Sequence, residues 1–469
     1  MMMLSHIAKI VGGQLIGADL EIQSVGIDSR NIVKNQLFIG IKGNNFDGNT
    51  YALEAIKQGA TAALVSDANT KATPAVVVQD TRLALGELAQ YWRKQFIAPI
   101  AAITGSNGKT TTKEMLVSIL KAVTSGTANN DASKVHATYG NLNNDIGLPL
   151  TLLKMTSQHA YAVIEMGMSH LGEIDYLTHI TQPNVAVISN AGTAHIGELG
   201  SRENIAKAKG EIFAGLTDDG VAVINADDDF ADYWKSLSVG KKIVTFGLIK
   251  PAEVTASYVE LDGTSLVSLT TPMGDICFKL NMLGKHNISN ALAASAAAVA
   301  LGVTNEHIAR GLESMQAVYG RLQRKAGFNH ATLIDDTYNA NPDSMKAAID
   351  VLCKQDTQTI FVMGDMGELG SDAAQMHGEV GAYAKHKNIN QLFTFGELSQ
   401  LAAKQFGTNA QHFNSLEALV NALKANMQQG VAVLVKGSRF MKMERVVEQI
   451  QVSADENSLL PNITIVEVK

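Results

Sequence analysis

Uninterrupted apolar runs recur along this chain at residues 100–103, 160–164, 185–188 and 221–224, with helical patterns between them, as at 202–216. A strand that is apolar at every position must be buried on both faces. Helices alternating with such strands achieve this by crossing over a parallel sheet. A second set at 332–334, 359–363, 392–395 and 431–435 alternates with helical stretches at 344–353 and 416–427. It predicts another parallel, Rossmann-like sheet. A smaller α/β unit precedes both, with helices at 4–10 and 51–58 and short strands at 25–27, 37–41, 62–65 and 75–78. A helix at 83–96 leads into the central block, and residues 463–468 read as a last strand.

Ligands on parallel sheets sit beyond the carboxyl ends of the strands. The residues directly after the runs are therefore the informative ones. After 100–103 comes Thr104-Gly105-Ser106-Asn107-Gly108-Lys109-Thr110-Thr111, entering a helix with Met115, Leu116, Ile119, Leu120 and Val123 on one face. Strand, glycine turn, Gly-Lys-Thr and helix form the layout of a phosphate-cradling loop. Its amides close around phosphate oxygens, the helix N-terminus adds partial positive charge, and Lys109 adds a full one. The Thr110 hydroxyl can hold Mg²⁺. The loop is shortened: Ile103 stands where the common pattern has its first glycine.

Glu165 follows the run 160–164, and His195 closes the cluster after 185–188. A carboxylate, a hydroxyl and an imidazole near phosphates make a divalent-metal shell. Asn287 and Asn290 share a face at the start of an alanine-rich helix over 291–301, where two amides can read a purine edge. In the first unit Ser29 and Arg30, with the turn Asn45, Phe46, Asp47 and Gly48, suit a nucleotide-like or sugar-phosphate ligand. No Gly-x-Gly-x-x-Gly follows a strand of the third unit, which argues against a dinucleotide cofactor. The expected fold class is α/β in three domains: a small N-terminal substrate domain over 1–82, a central P-loop ATPase-like parallel sheet over 83–316, and a C-terminal Rossmann-like domain over 317–469.

Acidic residues outnumber basic ones, 45 to 38. That argues against a nucleic-acid partner, which needs a dominant basic surface. No run of 18 uncharged apolar residues occurs, so no membrane span is expected. The first residues lack the apolar core of a signal peptide. The two cysteines, Cys277 and Cys353, are read as buried thiols of a cytoplasmic protein.

Taken together, these residues resemble the Mur ligases, ATP-dependent amide-bond-forming enzymes of peptidoglycan precursor synthesis, over essentially the whole chain. The shortened loop matches that family's. The resemblance implies metal ligation by Thr110, Glu165, His195 and a carbamylated Lys209; read alone, Lys209 is an exposed helical lysine. It implies catalytic roles for Lys109, Lys209, His195 and Arg321. ATP contacts are implied for Gly105, Ser106, Asn107, Gly108, Lys109, Thr110, Thr111, Asn287, Asn290, Arg321, Asp336 and Asn341. Tyr319 stands before Gly320-Arg321 where relatives often have proline. Segments at 139–147, 335–341 and 435–439 are most similar to the branch that adds D-Ala-D-Ala to a UDP-N-acetylmuramoyl-tripeptide. This assigns Ser29, Arg30, Asn45, Phe46, Asp47, Gly48, Asn141 and Asn144 to the UDP-substrate, and Lys436, Ser438 and Arg439 to the dipeptide. The expected cofactors are ATP and Mg²⁺, and the expected state is a monomer. Another peptidoglycan ligase, a folylpolyglutamate synthase, or a nucleotide-binding ATPase that ligates nothing remain open alternatives.

Overall fold

The computed structural model describes residues 2–43, 46–125, 134–261 and 263–452. Asn45 and the strand expected at 463–468 lie outside these.

The central sheet has six parallel strands in the order Lys242–Phe246, Val221–Asn225, Val185–Ile188, Ile100–Thr104, Tyr161–Glu165, Val135–Ala137. The four inner strands are the fully apolar runs, and Ile100–Thr104 is buried at every residue. The two edge strands escape sequence reading because they are short or carry polar positions such as Lys242 and His136. Ile100–Thr104 lies between strands that continue to either side, so the loop after it opens at the switch point of the sheet. Register places Thr104 beside Ile188 and Ile103 beside Glu165. The three strand ends thus discharge their next residues into one place.

One face of this sheet is covered by helices Lys109–Thr124 and Lys285–Ala300, the second buried along its alanines. Small side chains there let helix and sheet approach closely. The central block is not wholly parallel, however. Thr255–Leu261, Thr264–Thr271 and Gly274–Leu280 form an antiparallel meander. The middle strand alternates buried and open positions, the period-two pattern of a sheet with one wet face. Cys277 lies on the open side of this meander and is exposed, and Cys353 is half-buried at a helix end. The expectation of two buried thiols is therefore incorrect, because strand alternation and a helix terminus decide their exposure.

The third unit is a six-stranded sheet ordered Gln323–Ala326, Thr332–Asp336, Val431–Lys436, Gln358–Gly364, Gln391–Phe395, Ala410–Phe413, with the first strand antiparallel and the rest parallel. The first unit is a mixed five-stranded sheet. Helix Thr81–Arg93 has Asp80 as its N-cap, accepting from Arg82 N and Leu83 N. Its buried Leu85, Leu88 and Ala89 join a core that runs from the first unit into the central one.

Candidate active site

The phosphate loop is braced from the neighbouring strand end. Asn190 holds it from two sides, accepting from Ser106 N through its carbonyl and from Asn107 N through Oδ1, each at 3.0 Å. Ser189 Oγ donates to the Asn107 carbonyl at 2.7 Å. A Cβ on Gly105 would overlap Ser189 Oγ, and one on Gly108, with φ of 80°, would overlap Asn290 Oδ1. Both positions therefore require glycine. Sequence reasoning gave Asn190 no role, although its place directly after an apolar run is a signal.

Lys109 opens helix Lys109–Thr124, and its Nζ donates to the Gly105 carbonyl at 2.6 Å. Burial pushes its pKa down, Glu165 and Glu368 pull it up, and Arg321 pushes it down again. Lys109 thus stands amid charges of both signs where a polyphosphate would enter.

Thr110 Oγ1 donates to Glu165 Oε2 at 2.9 Å, and Asn143 Nδ2 holds the other carboxylate oxygen at 2.8 Å. Glu165, the last residue of its strand, is buried. A hydroxyl and a carboxylate beside a phosphate cradle fit Mg²⁺, which takes few protein ligands and completes its shell with phosphate oxygens and water. Among the described residues, no three His, Cys, Asp or Glu side chains cluster as a metal cage. His195 sits near by in a left-handed conformation, φ 62°, with Nδ1 2.9 Å from Glu368 Oε2 but not aligned for a hydrogen bond.

Lys209 overturns the reading of an exposed lysine. It is 1% exposed on helix Arg202–Gly210, with Ile205, Ala206 and Ala208 buried beside it and the Trp234 indole donating to Ala206 O at 3.0 Å. Burial, with Lys109 adding repulsion, drives its pKa well below that of an ordinary lysine. A buried amine held towards its neutral form is a nucleophile.

The third unit reaches across to the loop. Arg321 Nη2 donates to Thr110 Oγ1 at 3.1 Å, and its guanidinium stacks 4.2 Å from the Tyr338 ring centre. Its Nε is buried without a hydrogen-bond partner among the described residues. Asn341 Nδ2 donates to Asn107 Oδ1, and Thr193 donates to Asp343 through N and Oγ1, all at 2.8 Å. Asn341 also caps its helix in a reciprocal pair with Ser344. Lys436 is buried and paired with Asp336 at 2.6 Å, and Ser438 Oγ donates to Ala340 O at 3.0 Å. Arg439 is exposed and paired with Glu444 at 3.0 Å.

Two cavities meet at the loop. One, about 1100 Å³, is lined by Lys109, Thr110, Asn141, Asn144, Glu165, His195, Lys436 and Arg439. The other, about 580 Å³, is lined by Thr111, Asn190, Asn287, Asn290 and Asp336. Asn107, Gly108 and Arg321 border both. Asn290 Nδ2 donates to Asn287 Oδ1 at 3.3 Å, so the two amides share a face as expected. Ser29, Arg30, Phe46, Asp47 and Gly48 line neither cavity. Arg30 pairs with Asp28 at 2.9 Å, and Asp47 caps a short helical turn; local hydrogen bonding, not a shared pocket, is what those turn residues reveal.

We expect Arg321→Lys to lower kcat about 100-fold with little change in the KM for ATP, since an ammonium cannot stack and bridge as the planar fork does. Steady-state ADP release checks this.

The description "Mur ligase middle domain" matches residues 103–298, "Mur ligase, glutamate ligase domain" residues 320–439, and "Mur ligase family, catalytic domain" residues 21–93. The UDP-N-acetylmuramoyl-tripeptide–D-alanyl-D-alanine ligase of Escherichia coli (strain K12) is 40% identical over 453 residues, covering 96% of this chain and 98% of the relative. The crystal structure of MurF from Acinetobacter baumannii superposes with a TM-score of 0.87 at 37% identity, covering 95% of this chain and 98% of that one. MurF from Thermotoga maritima, in complex with ADP, gives 0.80 at 27% identity, covering 91% and 96%. With its phosphate loop, buried lysine and three α/β units in that arrangement, this chain belongs to the Mur ligase family.

Proposed function

We propose that this chain joins D-alanyl-D-alanine to UDP-N-acetylmuramoyl-tripeptide, converting ATP to ADP and phosphate. The observation that carries the chemistry is the pair of cavities sharing the phosphate loop as a common wall. A nucleotide in the smaller one delivers its terminal phosphate to an acceptor in the larger.

A carboxylate is a poor electrophile until it bears a leaving group. Its oxygen attacks the γ-phosphorus, the bond to ADP breaks, and an acyl phosphate forms. The dipeptide amine then attacks the acyl carbon, phosphate departs, and the amine loses a proton. The first step is chiefly positioning and charge neutralisation. Lys109 and the free amides at the start of its helix hold the β- and γ-phosphates. Arg321 adds charge from the third unit. Asn287 and Asn290 contact the adenine. Asp336 orients Lys436, and Asn341 fastens the third unit to Asn107. Thr110 and Glu165 would hold Mg²⁺, which neutralises phosphate charge when bound; His195 and a carbamate on Lys209 would serve a second ion. The dipeptide lies toward Lys436, Ser438 and Arg439. The UDP-substrate runs from Asn141 and Asn144 toward Ser29, Arg30 and the turn ending in Asp47 and Gly48.

The test is ADP release with D-Ala-D-Ala and UDP-tripeptides bearing diaminopimelate or lysine as third residue. We expect release only when nucleotide, one UDP-tripeptide and the dipeptide are all present. Release without the dipeptide, or equal turnover with a single amino acid, would overturn the assignment.

A further inference from the structure

Glu368 is unused in the mechanism above, yet it belongs to the third unit and touches the central one at its reactive end. Its carboxylate lies 2.9 Å from His195 Nδ1 and is half-exposed to the larger cavity. Its carbonyl accepts from Gly197 N at 3.1 Å. The approach of the two backbones is close. A Cβ on Gly197 would stand 2.5 Å from Gly370 N and 3.0 Å from Glu368 O. Both His195 and Glu368 adopt left-handed backbone conformations, φ 62° and 63°, which non-glycine residues hold only when the surroundings impose them.

The loop carrying Glu368 is itself fixed. Gly367 N donates to Ser438 Oγ at 2.8 Å, Met366 N donates to His377 Nε2 at 2.9 Å, and the Asp365 carboxylate accepts from Ser399 N at 2.7 Å. Met366 and Leu369 are buried on either side. The backbone of one unit is therefore fixed where it carries this carboxylate to 2.9 Å from an imidazole of the other. Once aligned, a carboxylate this close to one ring nitrogen would fix the tautomer and leave the opposite nitrogen, Nε2, as the free lone pair.

We propose that Glu368 is a positioning residue that orients His195 across the domain boundary, so that the imidazole is correctly presented only when the third unit is docked. This inference rests on the proposed ligation. The coupling makes the chemistry conditional on closure, which protects an acyl phosphate from water.

Ligation kinetics of Glu368→Ala test it. We expect kcat to fall about tenfold or more, with KM for ATP and the UDP-substrate changed by less than about twofold. Because Glu368 acts through His195, His195→Ala combined with Glu368→Ala should be no slower than His195→Ala alone. Losses that multiply, or an unchanged kcat, overturn the proposal. A second measurement needs no turnover: ¹⁵N spectra of the histidine rings with a non-hydrolysable ATP analogue bound. We expect His195 to be protonated at Nδ1 in the wild type and to lose that preference in Glu368→Ala. The same tautomer in both overturns the proposal. Failure of the wild type to ligate would sink the proposed function. A wild type that ligates, with a variant that matches it, sinks this inference alone.

Discussion

Lys109→Ala is expected to lose ATP-dependent ligation by about 10³-fold or more, roughly 4 kcal/mol of transition-state stabilisation, while the protein stays folded. The ammonium is bonded to the Gly105 carbonyl and feels the charges of Glu165 and Arg321. Without it, the developing charge on the transferring phosphate meets a carboxylate whose counter-charge has been removed. The ammonium also bonds the Gly105 and Ser106 carbonyls of the loop, but loop and helix have other supports. Asn190 and Ser189 brace the loop from the next strand, and Met115, Leu116 and Ile119 anchor the helix. Circular dichroism and thermal unfolding should therefore be nearly unchanged. ADP release at the wild-type rate would remove the phosphate-holding role.

Lys209→Ala should be nearly as severe, about 10²- to 10³-fold in kcat, and it should be chemically rescued. The side chain is buried and its pKa is depressed, which favours the neutral amine that reacts with carbon dioxide. The carbamate turns a cation into an anion able to face a metal ion. Truncation to alanine opens space that a short-chain carboxylic acid can enter, restoring the carboxylate but not the tether. Bicarbonate has no amine left to modify and should rescue nothing. Acetate or propionate failing to raise the rate at all would dismiss the carbamate. A mass shift of one carbon dioxide on intact wild type, absent in the variant, offers a check independent of turnover.

Much of this site is legible in the sequence because strand ends of a parallel sheet converge. Glu165, Thr110 and the cluster ending at His195 follow separate apolar runs, and register alone brings those runs together. Asn287 and Asn290 were found by helical spacing. Other members carry no local signal. Asn143 is an ordinary polar residue in a loop until the fold turns it onto Glu165. Lys209 reads as solvated because its helix has a polar sequence. Its helix packs into a core whose other members, such as Trp234, lie elsewhere in the sequence. The antiparallel meander went unread in a block dominated by parallel runs, and with it the exposure of Cys277.

By itself the sequence determined the three α/β units and the phosphate loop, because apolar periodicity and glycine spacing are properties of neighbours along the chain; the family came from the resemblance of its motif residues. Only the tertiary structure decided which charges are buried, which turns stay outside the cavities, and that the third unit lays Arg321, Asn341 and Glu368 on the loop and His195 of the central one. Those contacts join residues far apart in the chain. Their strength depends on desolvation and distance, which no stretch of sequence contains.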